Sequence, residues 1–142
     1  MTIQDITVAY TAVATAENGR DGRVSSDDGR LDVVVNPPKA LGGNGAGTNP
    51  EQLFAAGYSA CFQGALGVVA RQEKADISGS TVTAAVSIGK TVEGGFGLEV
   101  AISATIPNVD TATAQSLIEK AHQVCPYSNA TRGNIKVELS VV

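Results

Sequence analysis

Two cysteines, Cys61 and Cys125, are the residues whose type and placement could do chemistry. A thiolate is a nucleophile and can be oxidised and reduced reversibly. Cys61 lies near the middle of NPEQLFAAGYSACFQGALGVVARQ, residues 49–72. Cys125 lies in VCPYSN, where Pro126 forces a helix end and the backbone is easier to move. If the second helix packs across the first, the two sulfurs can approach to the Cα separation of about 5.5 Å that a disulfide requires. The competing reading is plain: a cysteine in a helix of small residues is commonly an inert, buried thiol. Two Cys and one His without a CxxC spacing do not make four ligands, so no metal site is expected. Ser59 in GYSAC lacks the glycine two residues on that a nucleophile elbow needs, and it falls mid-helix. His122, the only histidine, is expected to face out of a surface helix.

The element that must position Cys61 is a helix. Asn49 is its N-cap, Pro50 its first residue and Glu51 an acid in the positively polarised first turn. No charge follows until Arg71, and apolar or small residues fall on every side. That pattern belongs to a buried helix. Gln52, Ser59 and Gln63 interrupt it, so a core helix is expected and not a membrane span. Upstream, Ile3 to Ala16 reads as a strand, with Ile6, Val8, Tyr10 and Ala12 on one face. A polar loop, ENGRDGR, carries Arg20 and Arg23, and Asp28-Gly29 turns the chain into a strand over Leu31 to Val35. Gly42 to Thr48 is a connector; without a Gly-Lys-Ser/Thr ending it is not a phosphate cradle. Downstream, Thr81 to Val92 and Phe96 to Ile106 read as strands. A helix then runs from Asp110 or Thr111 to about Cys125, and Ile135 to Val141 reads as a closing strand. The order gives one α+β domain over residues 1–142.

Composition narrows the class. A chain of 142 residues that is 43% hydrophobic can bury a real core. A net charge of −4 argues against a nucleic-acid partner. MTIQDITVAY shows no signal peptide, so a cytoplasmic location is expected. There, cysteines are more often free, catalytic or redox-active than structural. Asn129-Ala130-Thr131 is then a glycosylation sequon by chance.

Three stretches carry a resemblance: GRDGR at 19–23, NPEQLFAAGYSACF at 49–62 and VCPYSNATRGN at 124–134. GGFGLEV at 94–100 fits as well. With these blocks the chain resembles the Ohr branch of the Ohr/OsmC family along essentially its whole length. The resemblance implies an OsmC-like fold, with antiparallel β-sheets wrapped around a long central helix in an intertwined homodimer. It implies a thiol peroxidase reducing alkyl and fatty-acid hydroperoxides, with no bound cofactor and with lipoyl-bearing proteins as the external dithiol reductant. By position, Cys61 matches the peroxidatic cysteine, Cys125 the resolving cysteine, Arg20 the activating arginine and Glu51 its carboxylate partner.

Chemistry agrees with those roles. Cys61 lies too far along its helix for the dipole to help, so a guanidinium must supply the positive charge. A free thiol is already several per cent ionised near neutral pH, so ionisation gains only about tenfold. The larger share of any acceleration would come from Arg20 orienting the peroxide and stabilising the departing oxygen. Glu51 and Cys61 are ten residues apart, about 15 Å along one helix. Two antiparallel copies crossing near Ala56 would bring Glu51 of one beside Cys61 of the other. Leu53, Phe54, Tyr58, Phe62, Phe96 and Tyr127 are candidates for an apolar vestibule. An OsmC-type general thiol peroxidase, and a non-catalytic carrier of apolar ligands with an inert thiol, remain as alternatives.

Overall fold

The computed structural model describes residues 3–142. The chain divides into two compact units, residues 1–53 and 54–142. The first carries a three-stranded antiparallel sheet of β1 (Ala14–Glu17), β2 (Gly22–Ser26) and β3 (Asp32–Val35), in that order. Residues 3–13 form no strand, although their alternation predicts one. Ladder pairing starts only at Ala14 opposite Ser26, because β2 ends there at the turn into β3. Ile6, Val8 and Tyr10 are therefore left 77%, 66% and 80% exposed. The polar loop read at 17–23 contributes its last residues to β2, and Arg23 pairs with Asp32 on β3.

A short 3₁₀ turn, Lys39–Leu41, follows β3. Thr48 then bridges back to Val35, with its N–H on the Val34 carbonyl at 3.0 Å and its own carbonyl accepting from Asn36 N–H at 2.9 Å. This fixes the start of helix α1 (Pro50–Glu73) beside the sheet of its own unit. Asn49 caps it, its Oδ1 accepting from Gln52 N–H at 2.8 Å.

The helix continues unbroken through the second unit. Tyr58, Phe62, Leu66 and Val69, at three- and four-residue spacing, are buried there. By length and apolarity alone α1 would also pass for a membrane span, but these side chains fill a protein core. A different stripe, Gln52, Ala56, Ala60 and Gly64, is exposed.

The second unit's sheet has the order β4 (Thr81–Lys90), β5 (Phe96–Thr105), β6 (Val137–Val141). Between β5 and β6 come α2 (Thr111–Val124), capped by the Asp110 carboxylate on Thr113 N–H at 2.7 Å, and the short α3 (Pro126–Thr131). β4 and β5 are an antiparallel hairpin over ten residue pairs. β6 runs parallel to β5, a departure from the expected all-antiparallel sheets. The reason is the helical crossover, which returns the chain to the end of the sheet where β5 began. Val100, Ile102 and Ala104 of β5 and Ala114, Leu117, Ile118 and Ala121 of α2 complete the core with α1. The architecture is thus α+β, with two sheets and one long helix.

Candidate active site

Each unit supplies one pair of candidate residues. In the first, Arg20 sits in the tight turn between β1 and β2. Asn18 and Gly19 both take left-handed backbone angles, φ 58° and 56°. Gly22 closes the turn so tightly that a Cβ would lie 2.0 Å from the Glu17 carbonyl oxygen. Asn36 Nδ2 donates to Asp21 Oδ1 at 2.6 Å and ties the turn to β3. From this rigid base Arg20 grips Glu51 with both nitrogens, NH1 to Oε2 at 3.1 Å and NH2 to Oε1 at 2.9 Å. The hydrogen-bonded guanidinium holds the Glu51 carboxyl below the usual carboxylate range, and Glu51 raises the guanidinium in turn. The pairing is within one protomer, on an unbroken helix.

In the second unit the two thiols are free and meet. Cys61 Sγ and Cys125 Sγ are 3.5 Å apart, Cys61 half-buried and Cys125 fully buried. Cys125 occupies the corner between α2 and α3, capping the end of one and the start of the other. Burial pushes the Cys61 thiol above its ordinary value; the backbone N–H of Tyr127 acts against that rise, and the neighbouring Cys125 adds to it. As placed in a single chain, this sulfur needs positive charge to ionise near neutral pH.

Beside the thiols lies an aromatic cluster. Tyr58 and Tyr127 have ring centroids 5.7 Å apart, and Phe54 is 6.1 Å from each. Tyr127 lies against Gly57, where a Cβ would come within 2.9 Å of its hydroxyl. The other vestibule candidates divide. Leu53 is half-buried in the first turn of α1, and Phe62 is wholly inside the core. Phe96, 73% exposed at the start of β5, is not brought to the cluster.

Sequence reasoning missed a buried polar chain behind Cys125. His122 is not turned out to solvent: its Nδ1 is 2.8 Å from Ser128 Oγ. Ser128 Oγ is 2.8 Å from Tyr58 Oη, which is 3.0 Å from Thr131 Oγ1. Burial lowers the His122 imidazole, and the Arg132 charge lowers it further. The available signal was spacing, with His122 and Ser128 each three residues from Cys125. No cluster of metal-binding side chains occurs among the described residues.

Two cysteines within bonding reach on an OsmC-like α+β scaffold define a class, and comparison with known proteins agrees. The model of the OsmC-like protein family matches residues 42–140. The chain belongs to the Ohr/OsmC family, in its organic hydroperoxide resistance branch. An organic hydroperoxide resistance protein of Xanthomonas axonopodis pv. citri is 54% identical over 136 residues, 94% of this chain and 95% of that one. The crystal structure of another, from Elizabethkingia anophelis with thiocyanate bound, is 58% identical with a TM-score of 0.90, covering 96% of this chain and 98% of that one. That of OhrB from Bacillus subtilis is 46% identical with a TM-score of 0.86, covering 94% and 98%.

Proposed function

We propose that the protein is a thiol peroxidase that reduces organic hydroperoxides to alcohols, with Cys61 as the attacking sulfur and Cys125 as the resolving one. The observation that carries this reading is the pair of free thiols 3.5 Å apart, one on α1 and one at the α2–α3 corner, 64 residues apart in sequence. The relatives' names support a role in organic hydroperoxide resistance and a peroxidase-type activity.

The Cys61 thiolate attacks the terminal peroxide oxygen; the O–O bond breaks, an S–O bond forms, and the alkoxide takes a proton to leave as alcohol. Cys125 sulfur then attacks the Cys61 sulfenic acid, the S–O bond breaks, and water leaves with the thiol proton. An external dithiol, a lipoyl group in this reading, returns two electrons and two protons and is itself oxidised to its disulfide. Such a cycle suits a reducing, cytoplasmic compartment.

Arg20, held by Glu51, is the cation this chemistry needs. It would steer the peroxide and stabilise the departing oxygen. Because Arg20 and Glu51 travel as one unit, they can be delivered together to a Cys61, and a homodimer gives the means. Its support is twofold: the exposed small-residue stripe on α1 permits close helix approach, and the exposed apolar residues of 3–13 have no strand partner among the described residues. Phe54 and Tyr127 would receive the alkyl group; Tyr58, named with them from the sequence, is fully buried with its hydroxyl on Ser128 and lies behind them.

One observation favours the inert-thiol carrier instead, the upward push of burial on Cys61. Peroxide consumption with dihydrolipoamide separates the two. Turnover on cumene hydroperoxide well above that on hydrogen peroxide, abolished by Cys61→Ser and reduced to a single turnover by Cys125→Ser, is the expected result. A Cys61 that ignores alkyl hydroperoxides would leave only the carrier.

A further inference from the structure

We propose that Tyr58, Ser128 and His122 form a positioning network for the resolving step, holding the Cys125 sulfur over Cys61. The proposal rests on the thiol-cycle reading above and assigns to that cycle residues outside the two reactive pairs. Tyr58, Cys125 and Ser128 are all 0% exposed. A core gains no stability from such hydroxyls over apolar groups of the same shape, and each must be satisfied once buried. What a satisfied network supplies is a unique arrangement.

Its placement shows which arrangement. Cys125 is the corner residue between α2 and α3, an open joint with extended backbone, φ −61° and ψ 122°. His122 lies three residues before the corner and Ser128 three after, and their 2.8 Å contact spans it and fixes the angle between the helices. Ser128 also meets Tyr58 at 2.8 Å, and Tyr58 stands three residues before Cys61 on α1. One hydroxyl therefore links the joint that carries one thiol to the helix that carries the other. One assignment satisfies every hydroxyl in the chain: with the proton on His122 Nδ1, His122 donates to Ser128, Ser128 to Tyr58, Tyr58 to Thr131, and Thr131 to the Ser128 carbonyl at 3.2 Å. Arg132 braces the same corner, donating to the His122 carbonyl and to Asn129 Oδ1.

The network acts only when Cys125 must reach the sulfenic sulfur; it touches neither peroxide nor Cys61. Losing it should slow S–S formation and spare S–O formation. The test is single-turnover oxidation of the full chain by cumene hydroperoxide, with sulfenic acid trapped by dimedone and disulfide read by mass. In Ser128→Ala and Tyr58→Phe, Cys61 oxidation stays within about twofold of the parent, disulfide formation slows about tenfold or more, and the dimedone adduct accumulates. Ser128→Thr, which keeps the hydroxyl, restores most of the rate. Disulfide formation at the parent rate in the folded Tyr58→Phe variant, which loses one atom, overturns the proposal even if Ser128→Ala does not fold.

A second measurement is independent of peroxide: the effective concentration of the two thiols, from equilibrium with glutathione. It falls about tenfold in the variants if the network positions Cys125, and an unchanged value again overturns the proposal. A parent protein inert to peroxide whose variants still show this fall would sink the peroxidase reading and leave the network standing.

Discussion

Glu51 and Arg20 test the site one residue at a time. Arg20 holds the Glu51 carboxyl below its ordinary value. A depressed carboxylate contributes stability that is present above its unfolded value of about 4.3 and is lost as pH falls through its folded value. Glu51→Gln should therefore lower stability at pH 7 by about 1 kcal/mol or less, since Arg20 is half-exposed. The difference from the parent should shrink only as pH falls through the depressed folded value, below about 4.3, and vanish once the parent carboxylate is neutral too. Urea unfolding at pH 7 and through the acid range checks this. Arg20→Ala should cost about 10²–10³ in kcat/KM on an alkyl hydroperoxide. For an ordinary thiol, thiolate fraction explains only about tenfold of that, and the upward push of burial on Cys61 enlarges this share. The remainder should persist at high pH, where the thiol is ionised whether or not Arg20 is present. A loss that disappears at high pH would reduce Arg20 to a pKa-setting charge. That Cys61 would meet Cys125, and Arg20 Glu51, was legible because their blocks are distinctive. The hydroxyl network was not: in sequence Tyr58 reads as a vestibule ring, and a buried serine or tyrosine hydroxyl looks like any other until packing joins them.

At the scale of elements, the helix that carries Cys61 depends on its first turn. Asn49 is buried and caps Gln52. Asn49→Ala should cost about 1 kcal/mol, with Asn49→Ser close to neutral. Because fraying would release Glu51, the alanine variant should also lose activity, and far-UV dichroism beside peroxide turnover measures both. Gly57 makes a different point. Alanine there gains about 1 kcal/mol of helix propensity but pushes into the Tyr127 ring. Thermal stability should change little while KM for a bulky alkyl hydroperoxide rises, since the ring is half-exposed and free to swing away. The helix limits, the β4–β5 hairpin and α2 could be read from caps, glycines and period. The parallel direction of β6 could not, since alternation is the same in either direction. Phe96 misled for a related reason: an aromatic at a strand start has the same sequence pattern whether it faces a pocket or water.

On the scale of the whole molecule, the N-terminal alternation misled: residues 3–13 form no strand and pair with none among the described residues. Ile6, Val8 and Tyr10 are left as exposed apolar side chains. Removing residues 1–11 should shift the protein from twice the chain mass to once in light scattering and abolish turnover. Charged substitution of Val8 and Tyr10 together should do the same. A full-length protein that is already monomeric and active would end the shared-site reading.

The 64-residue interval between the thiols also matters before folding is complete. At about 5–20 residues per second, a ribosome exposes the first sulfur roughly 3–13 s before it adds the second. On the proposed reading a nascent chain lacks both the resolving thiol and the folded site that would activate Cys61, so that sulfur stays an ordinary thiol until folding is complete. Sulfinic acid at Cys61 should then be no more abundant in protein made during peroxide stress than in protein folded before it.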